Sequence, residues 1–201
     1  MSPERIRERY EQLRVDVGPG VTVVVATKYV DLEGMAALAE AGIEVVGENR
    51  LQDLIAKHDR FAGVFRWHFI GHLQSRKARD VSGLCELVHS LDSVSAAQRL
   101  TVPALVEVNL SGEGTKSGVP AAGLASFLAQ VREIGVEVRG LMTMPPLAGD
   151  PESSRPYFQE LRRLAREHDL AELSMGTSQD YRVAVEEGAT LVRVGSMLFE
   201  R

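Results

Sequence analysis

Cysteine is nearly missing. Cys85 stands alone among 201 residues, which excludes an intramolecular disulfide framework and a multi-cysteine metal site. Entering an apolar run, it reads as a small buried hydrophobe. Long apolar stretches are missing too: no segment approaches the ~18 consecutive apolar residues of a membrane span. The polar start, MSPERIRERYEQLR, is no secretory signal. There is no strong excess of one charge either, and a net value of -5 argues against a nucleic-acid surface or an anionic membrane as partner. No linker, low-complexity tract or repeat larger than a βα unit interrupts the chain. One domain over residues 1–201 and a reducing, cytoplasmic setting are expected.

What is present is a steady alternation of two periods. Apolar, β-branched runs recur at Val21–Thr27, Glu44–Gly47, Arg66–Ile70, Glu86–Leu91, Ala104–Leu110, Glu137–Met144, Glu172–Met175 and Leu191–Val194. Amphipathic helical patterns lie between most of them. Leu51, Leu54, Ile55 and His58 share one face, as do Leu124, Phe127, Leu128, Val131 and Ile134, and Phe158, Leu161, Leu164 and Ala165. The helices near Lys77 and after Ser93 look short. Near-continuous apolar strands suit a parallel sheet covered by helices. Eight of them predict an α/β fold, a single (β/α)8 TIM-type barrel, with an extra N-terminal helix whose Ile6, Tyr10 and Leu13 pack on it. An open doubly wound sheet is the rival, but no G-x-G-x-x-G follows the first strand.

In such barrels the active site lies at the C-terminal strand ends. Read in order, those ends carry Lys28, then Glu48-Asn49, HFIGHLQ, Asn109, MTMPP, SMGTS and RVGS. Asn49 and Ser178 fit as helix N-caps, whereas Lys28 and Arg193 sit inside apolar runs. Lys28 is either a solvated strand-end charge or a pocket amine. Gly176 with Ser178, and Gly195 with Ser196, either make tight turns or form the phosphate site that barrels commonly place after strands 7 and 8. A phosphate site facing a lysine suggests a phosphorylated aldehyde. The amine would form a Schiff base with it, its pKa lowered by apolar surroundings.

The stretches VATKYV, VVGENRLQDL, WHFIGHLQSRKAR, SLDS, VEVNLSGEGTKSG, GLMTMPP and LSMGTSQDYRVAVEEGATLVRVGSMLF together resemble the pyridoxal phosphate homeostasis proteins, which are similar in fold to the barrel domain of alanine racemase (the fold type III pyridoxal phosphate barrel). The resemblance implies bound pyridoxal 5′-phosphate, with Lys28 as the Schiff-base lysine and Asn49 beside the ring. It implies a phosphate held by Ser178, Gly195 and Ser196 with backbone of Met175 and Gly176, and Arg193 facing the pyridine nitrogen. The expected role is cofactor storage and delivery without metabolic turnover, by a monomer whose partners are apo-enzymes needing the cofactor. Arg76, Thr177 and Glu200 depart from the family pattern, and Arg76 and Thr177 are expected at the pocket rim.

Two other functions stay open: a pyridoxal phosphate-dependent amino-acid racemase, and a barrel enzyme acting on a sugar phosphate through Lys28. Racemisation needs acid-base groups on both faces of the substrate carbon. The chain stops at Arg201 without the second domain that supplies a tyrosine in the racemases, and Tyr29 is expected to point away from Lys28. Arg193, always charged, disfavours protonation of the ring nitrogen and weakens it as an electron sink. His68 and His72 lack the helical spacing of zinc ligands; His68 is expected in the core or lining the pocket. Arg76–Arg79 reads as a solvated face, and Met142 and Met144 as filling space beneath the cofactor.

Overall fold

A computed structural model describes residues 2–113, 117–147 and 149–199; Glu200 and Arg201 lie outside the described residues. Eight parallel strands close into a barrel: β1 (Thr22–Ala26), β2 (Val45–Glu48), β3 (Arg66–Phe69), β4 (Leu87–Leu91), β5 (Ala104–Asn109), β7 (Val138–Met142), β8 (Glu172–Thr177) and β9 (Leu191–Val194). Each pairs with the next, and β9 returns to β1 in the register Val24↔Arg193. A two-residue strand, β6 (Val119–Pro120), pairs with β5 outside the ring and was not expected from the sequence. The other strands begin and end within about two residues of the apolar runs that predict them.

The helices are α1 (Pro3–Val17), α2 (Leu32–Glu40), α3 (Leu51–Phe61), α4 (Ala78–Ser82), α5 (Val94–Ala97), α6 (Leu124–Ile134), α7 (Arg155–Glu167), α8 (Tyr181–Glu186) and α9 (Ser196–Phe199). Helices α4 and α5 are short, as their patterns predict. Proline at the first position of α1 costs no hydrogen bond, because that N–H has no intrahelical acceptor. Its buried stripe of Ile6, Tyr10, Leu13 and Val17 packs it beside α2, α8 and α9, and Asp16 accepts from the Tyr181 hydroxyl of α8 at 2.8 Å.

Most of the core lies between strands and helices, with Phe158, Leu161, Leu164 and Ala165 buried as their spacing predicts. Helix α3 departs from its predicted face. Leu51 and Leu54 are buried, but Ile55 is exposed and Lys57 takes the buried position. A charge displaces an apolar residue there because a carboxylate waits beneath it.

Inside the barrel is a smaller cluster of Val24, Val45, Leu87, Leu105, Met142 and Leu191. Two residues further along β4, β5 and β9, on the same face of each strand, stand His89, Glu107 and Arg193, all buried. The interior is therefore apolar at one end and polar toward the C-terminal strand ends. That polarity positions the site.

Candidate functional site

A cavity of about 1080 Å³ opens at the C-terminal end of the barrel, beside β1, β8 and β9. That is at the upper end of small-ligand pockets, which run to roughly 1,000 Å³. Lys28, Asn49, Ser178, Arg193, Gly195 and Ser196 all lie on its wall. Met175 and Gly176 do not; both are buried behind it. Gly176 has φ +90°, and a Cβ there would sit 2.6 Å from that of Ala184, so only glycine turns the chain from β8 toward the wall.

Lys28 is not enclosed by apolar walls. It occupies a turn beyond the end of β1, and its side chain is exposed. The expectation of an amine surrounded by apolar groups is therefore corrected. Tyr29 is corrected too. The alternation that would turn it away ends with the strand, so its ring lies under the ammonium, 4.9 Å from Nζ to the centroid. Tyr29 is 91% exposed.

Behind these two loops lies a buried ionic contact that sequence periodicity missed. Glu48 is fully buried and ion-pairs with Lys57, which reaches back from α3. The Lys57 ammonium also donates to the Thr27 carbonyl at 2.7 Å, and the Thr27 hydroxyl donates to Glu48 Oε1 at 2.7 Å. Glu48 Oε2 accepts from the Asn49 backbone N–H at 3.1 Å. Residues 27 and 48, immediately before Lys28 and Asn49, are thus clamped to one pair of charges. Asn49 is no helix cap: Arg50 occupies that position in α3. The loop is fixed by Gly71, since a Cβ there would fall 2.1 Å from the Asn49 carbonyl oxygen.

Ser178 is no cap either. Helix α8 begins at Tyr181 with Asp180 as its N-cap, and Ser178 lies in the preceding turn. Its Oγ accepts from the Gly195 N–H at 3.1 Å, tying the β8 and β9 loops together and leaving the hydroxyl proton to donate elsewhere. Thr177 is on the wall, its N–H and hydroxyl both given to Asp180 Oδ1. Arg76 is exposed and absent from the wall, so only Thr177 belongs to the rim.

Arg193 is buried at the back. Its Nη1 donates to Ser174 Oγ at 2.6 Å and Nη2 to the Thr143 carbonyl at 3.0 Å. Burial pulls its pKa down to about 10, so it remains a cation at neutral pH. Met144 lies beside it on the wall and is half exposed, whereas Met142 is buried in the inner cluster of the barrel and does not line the cavity. Glu107 is pushed up by burial. His68 is buried within the barrel rather than lining the pocket, and His72 is exposed, 3.6 Å from Asp92. Among the described residues no group of three metal-ligating side chains occurs. Cys85 is buried and its thiol pushed up to about 12 by burial.

Two buried polar atoms on this wall lack partners: Arg193 Nε, a donor, and Asn49 Oδ1, on an amide that can turn either end inward. A flat ligand with a ring acceptor and an oxygen substituent, an anionic group and an electrophilic carbon would suit the orphaned pair, Ser178 and Lys28 together. The donor set fits pyridoxal 5′-phosphate.

Residues 1–200 match the family described as alanine racemase, N-terminal domain. The pyridoxal phosphate homeostasis protein of Aquifex aeolicus is 39% identical, over 97% of this chain and 94% of that protein. That of Escherichia coli K12 is 32% identical, over 89% and 85%. Among solved structures, PipY of Synechococcus elongatus with pyridoxal phosphate bound superposes with a TM-score of 0.89 at 33% identity, covering 96% of this chain and 99% of that one. A lysine/ornithine decarboxylase from Vibrio vulnificus shares the fold alone, at 15% identity and a TM-score of 0.75, with 62% of its length covered. The chain belongs to the alanine racemase N-terminal domain family and, within it, to the pyridoxal phosphate homeostasis proteins.

Proposed function

We propose that this chain binds pyridoxal 5′-phosphate in the cavity and serves intracellular cofactor homeostasis, by storage and delivery. The observation that carries the reading is the pair of orphaned buried atoms, Arg193 Nε and Asn49 Oδ1, on the wall that Lys28 and Ser178 also line. Lys28 Nζ would hold the cofactor covalently. Asn49 would face the ring oxygen, and Arg193 Nε would give its proton to the pyridine nitrogen. Ser178, Gly195 and Ser196 would hold the phosphate, with Met175 and Gly176 shaping the loop from behind. When bound, the cofactor supplies an aldehyde that an amine captures reversibly. The exposure of Lys28 leaves that bond open to an incoming amine, as delivery to an apo-enzyme requires.

Metabolic turnover is not part of the proposal. Arg193 offers the ring nitrogen a donor and a positive charge, so the ring is a weak electron sink. Tyr29 stands on Lys28 itself rather than across the cavity, and so offers no acid-base group for a second face. No helix among the described residues is long and apolar enough to cross a membrane. We place the protein in the cytoplasm as a monomeric barrel. Its proposed partners are enzymes awaiting the cofactor, rather than nucleic acid or a membrane.

The test is a titration of purified protein with pyridoxal phosphate, followed in the visible range. A saturable yellow complex that does not turn over D- or L-amino acids supports the proposal. A colourless protein contradicts it. Turnover at ordinary enzymatic rates, ~1 per second or faster, would instead make the chain a racemase or a related enzyme.

A further inference from the structure

A line of buried side chains crosses the barrel interior from Arg193 to the opposite end. Ser174 on β8, His89 on β4 and His68 on β3 are each 2% exposed or less. Ser174 Oγ lies 2.8 Å from His89 Nδ1, His89 Nε2 lies 2.9 Å from His68 Nδ1, and His68 Nε2 lies 3.1 Å from Glu86 Oε1. Glu86 reaches solvent and also takes Arg66 at 2.7 Å.

The two ends of the line are of opposite kind: the Arg193 guanidinium can only donate and the Glu86 carboxylate can only accept. Glu86 accepts from His68 Nε2, so with one proton on each ring His68 Nδ1 accepts from His89 and His89 Nδ1 accepts from the Ser174 hydroxyl, whose oxygen accepts from Arg193 Nη1. His89 then carries its proton on Nε2 and donates to His68, which in turn donates from Nε2 to Glu86. Each ring donates once and accepts once in this arrangement. Burial keeps His89 well below the ordinary histidine range, with the Arg193 cation acting the same way. The line begins at a cation, ends at an anion and has no orphaned group between them. Its effect at the cavity is specific. With Nη1 on Ser174 and Nη2 on the Thr143 carbonyl, Nε is the donor left without a partner.

We infer that His89 is a positioning residue for the cofactor: through Ser174 it locks the guanidinium of Arg193 so that Nε presents its proton to the ring nitrogen. The inference rests on the reading that Arg193 meets that nitrogen. Without His89 the Ser174 hydroxyl loses its acceptor and turns, leaving Nη1 with only the longer bond to the Ser174 carbonyl, at 3.0 Å. The ring nitrogen then loses a fixed donor, whereas contacts to the phosphate and the aldehyde are untouched.

The test compares apparent dissociation constants for pyridoxal phosphate and for its 1-deaza analogue, in which a C–H replaces the ring nitrogen. Ser174→Ala and His89→Leu should each weaken pyridoxal phosphate about fivefold, the scale of one net hydrogen bond, and leave the deaza analogue unchanged. His89→Gln, whose amide can accept from Ser174 and donate to His68, should bind both as the unmodified protein does. Circular dichroism checks each fold, and Ser174→Ala, the smallest change, carries the comparison if His89→Leu does not fold. Arg193→Leu separates the two layers of the argument. If it removes the preference for the ring nitrogen while Ser174→Ala and His89→Leu keep it, the role of His89 is overturned. If Arg193→Leu also keeps the preference, the placement of Arg193 at the ring nitrogen is wrong, and the inference falls with it.

Discussion

At the β1 end of the cavity the polar groups reach water: Lys28 and Tyr29 are exposed, and their contact is with each other. At the β8–β9 end Arg193 is sealed in the barrel, with both terminal nitrogens bonded to β7 and β8 or the loops after them. The same division separates the two lysines nearest the site. Lys57 is buried and committed to Glu48 and the Thr27 carbonyl, whereas Lys28 is exposed above it. A group that must be reached by an outside molecule cannot also be walled in. A group that must hold one orientation benefits from burial and a full set of partners. On this account the open end exchanges the cofactor and the closed end orients it.

The division can be broken most sharply at Lys28. Lys28→Ala should abolish borohydride-fixed cofactor while leaving thermal unfolding almost unchanged, because the side chain is exposed and supports no core contact. Lys57→Met should do the reverse. It leaves the Glu48 carboxylate buried without its cation, a loss of about 3–5 kcal/mol in stability measured by urea unfolding. If Lys57→Met is no less stable than the parent, the clamp beneath the site is not what holds it.

A smaller effect is expected at the phosphate loops. Ser178→Ala removes one hydroxyl that can donate to an anion, and should weaken pyridoxal phosphate about tenfold, as for a hydrogen bond to a charged group. Reaction with unphosphorylated pyridoxal should hardly change. Equal weakening of both ligands would place the phosphate elsewhere.

A further effect is one of pH. His89 is buried and neutral, its pKa below the usual 6.5, and the charged or titratable groups around it are His68, Arg193, Glu86 and Glu107. Below pH 6.5 the unfolded chain therefore binds a proton that the folded chain refuses. Its stabilising contribution is fully present above that pH and is lost on acidification, by up to ~1.4 kcal/mol per pH unit. Glu86, held near 2 first by its hydrogen bond from His68, loses its contribution in the same direction but only below pH 4.5. His89→Gln should accordingly show a shallower fall in unfolding free energy between pH 7 and 5 than the parent. Parallel slopes would mean that His89 is not the group responsible.

The barrel was legible because both periods were: apolar runs at strand length and amphipathic faces between them. Six of the eight residues expected in the site reach the cavity wall, because strand ends in a barrel converge whatever their loops do. The surroundings of those residues were not legible. Lys57 occupies a helical position next to Ile55 and His58, and periodicity alone assigns such a position to apolar residues. Only the buried Glu48 makes a lysine the better occupant. Asn49 and Ser178 have the composition of caps, yet tight loops put both before the helix start. Tyr29 follows a strand, and the alternation expected of it stops where the turn begins. One signal for the interior is present in the sequence: LVH, LVE and LVR, at residues 87–89, 105–107 and 191–193, repeat one pattern on three strands. Its third position marks the polar floor of the site.

The central claim is that Lys28, the exposed amine at the open end, is the residue that carries the cofactor. Borohydride reduction of the protein loaded with pyridoxal phosphate, followed by peptide mapping in a mass spectrometer, tests it directly. The account predicts a single pyridoxyl group on the peptide containing Lys28. Its appearance on Lys57 or any other lysine, with Lys28 unmodified, would contradict the account.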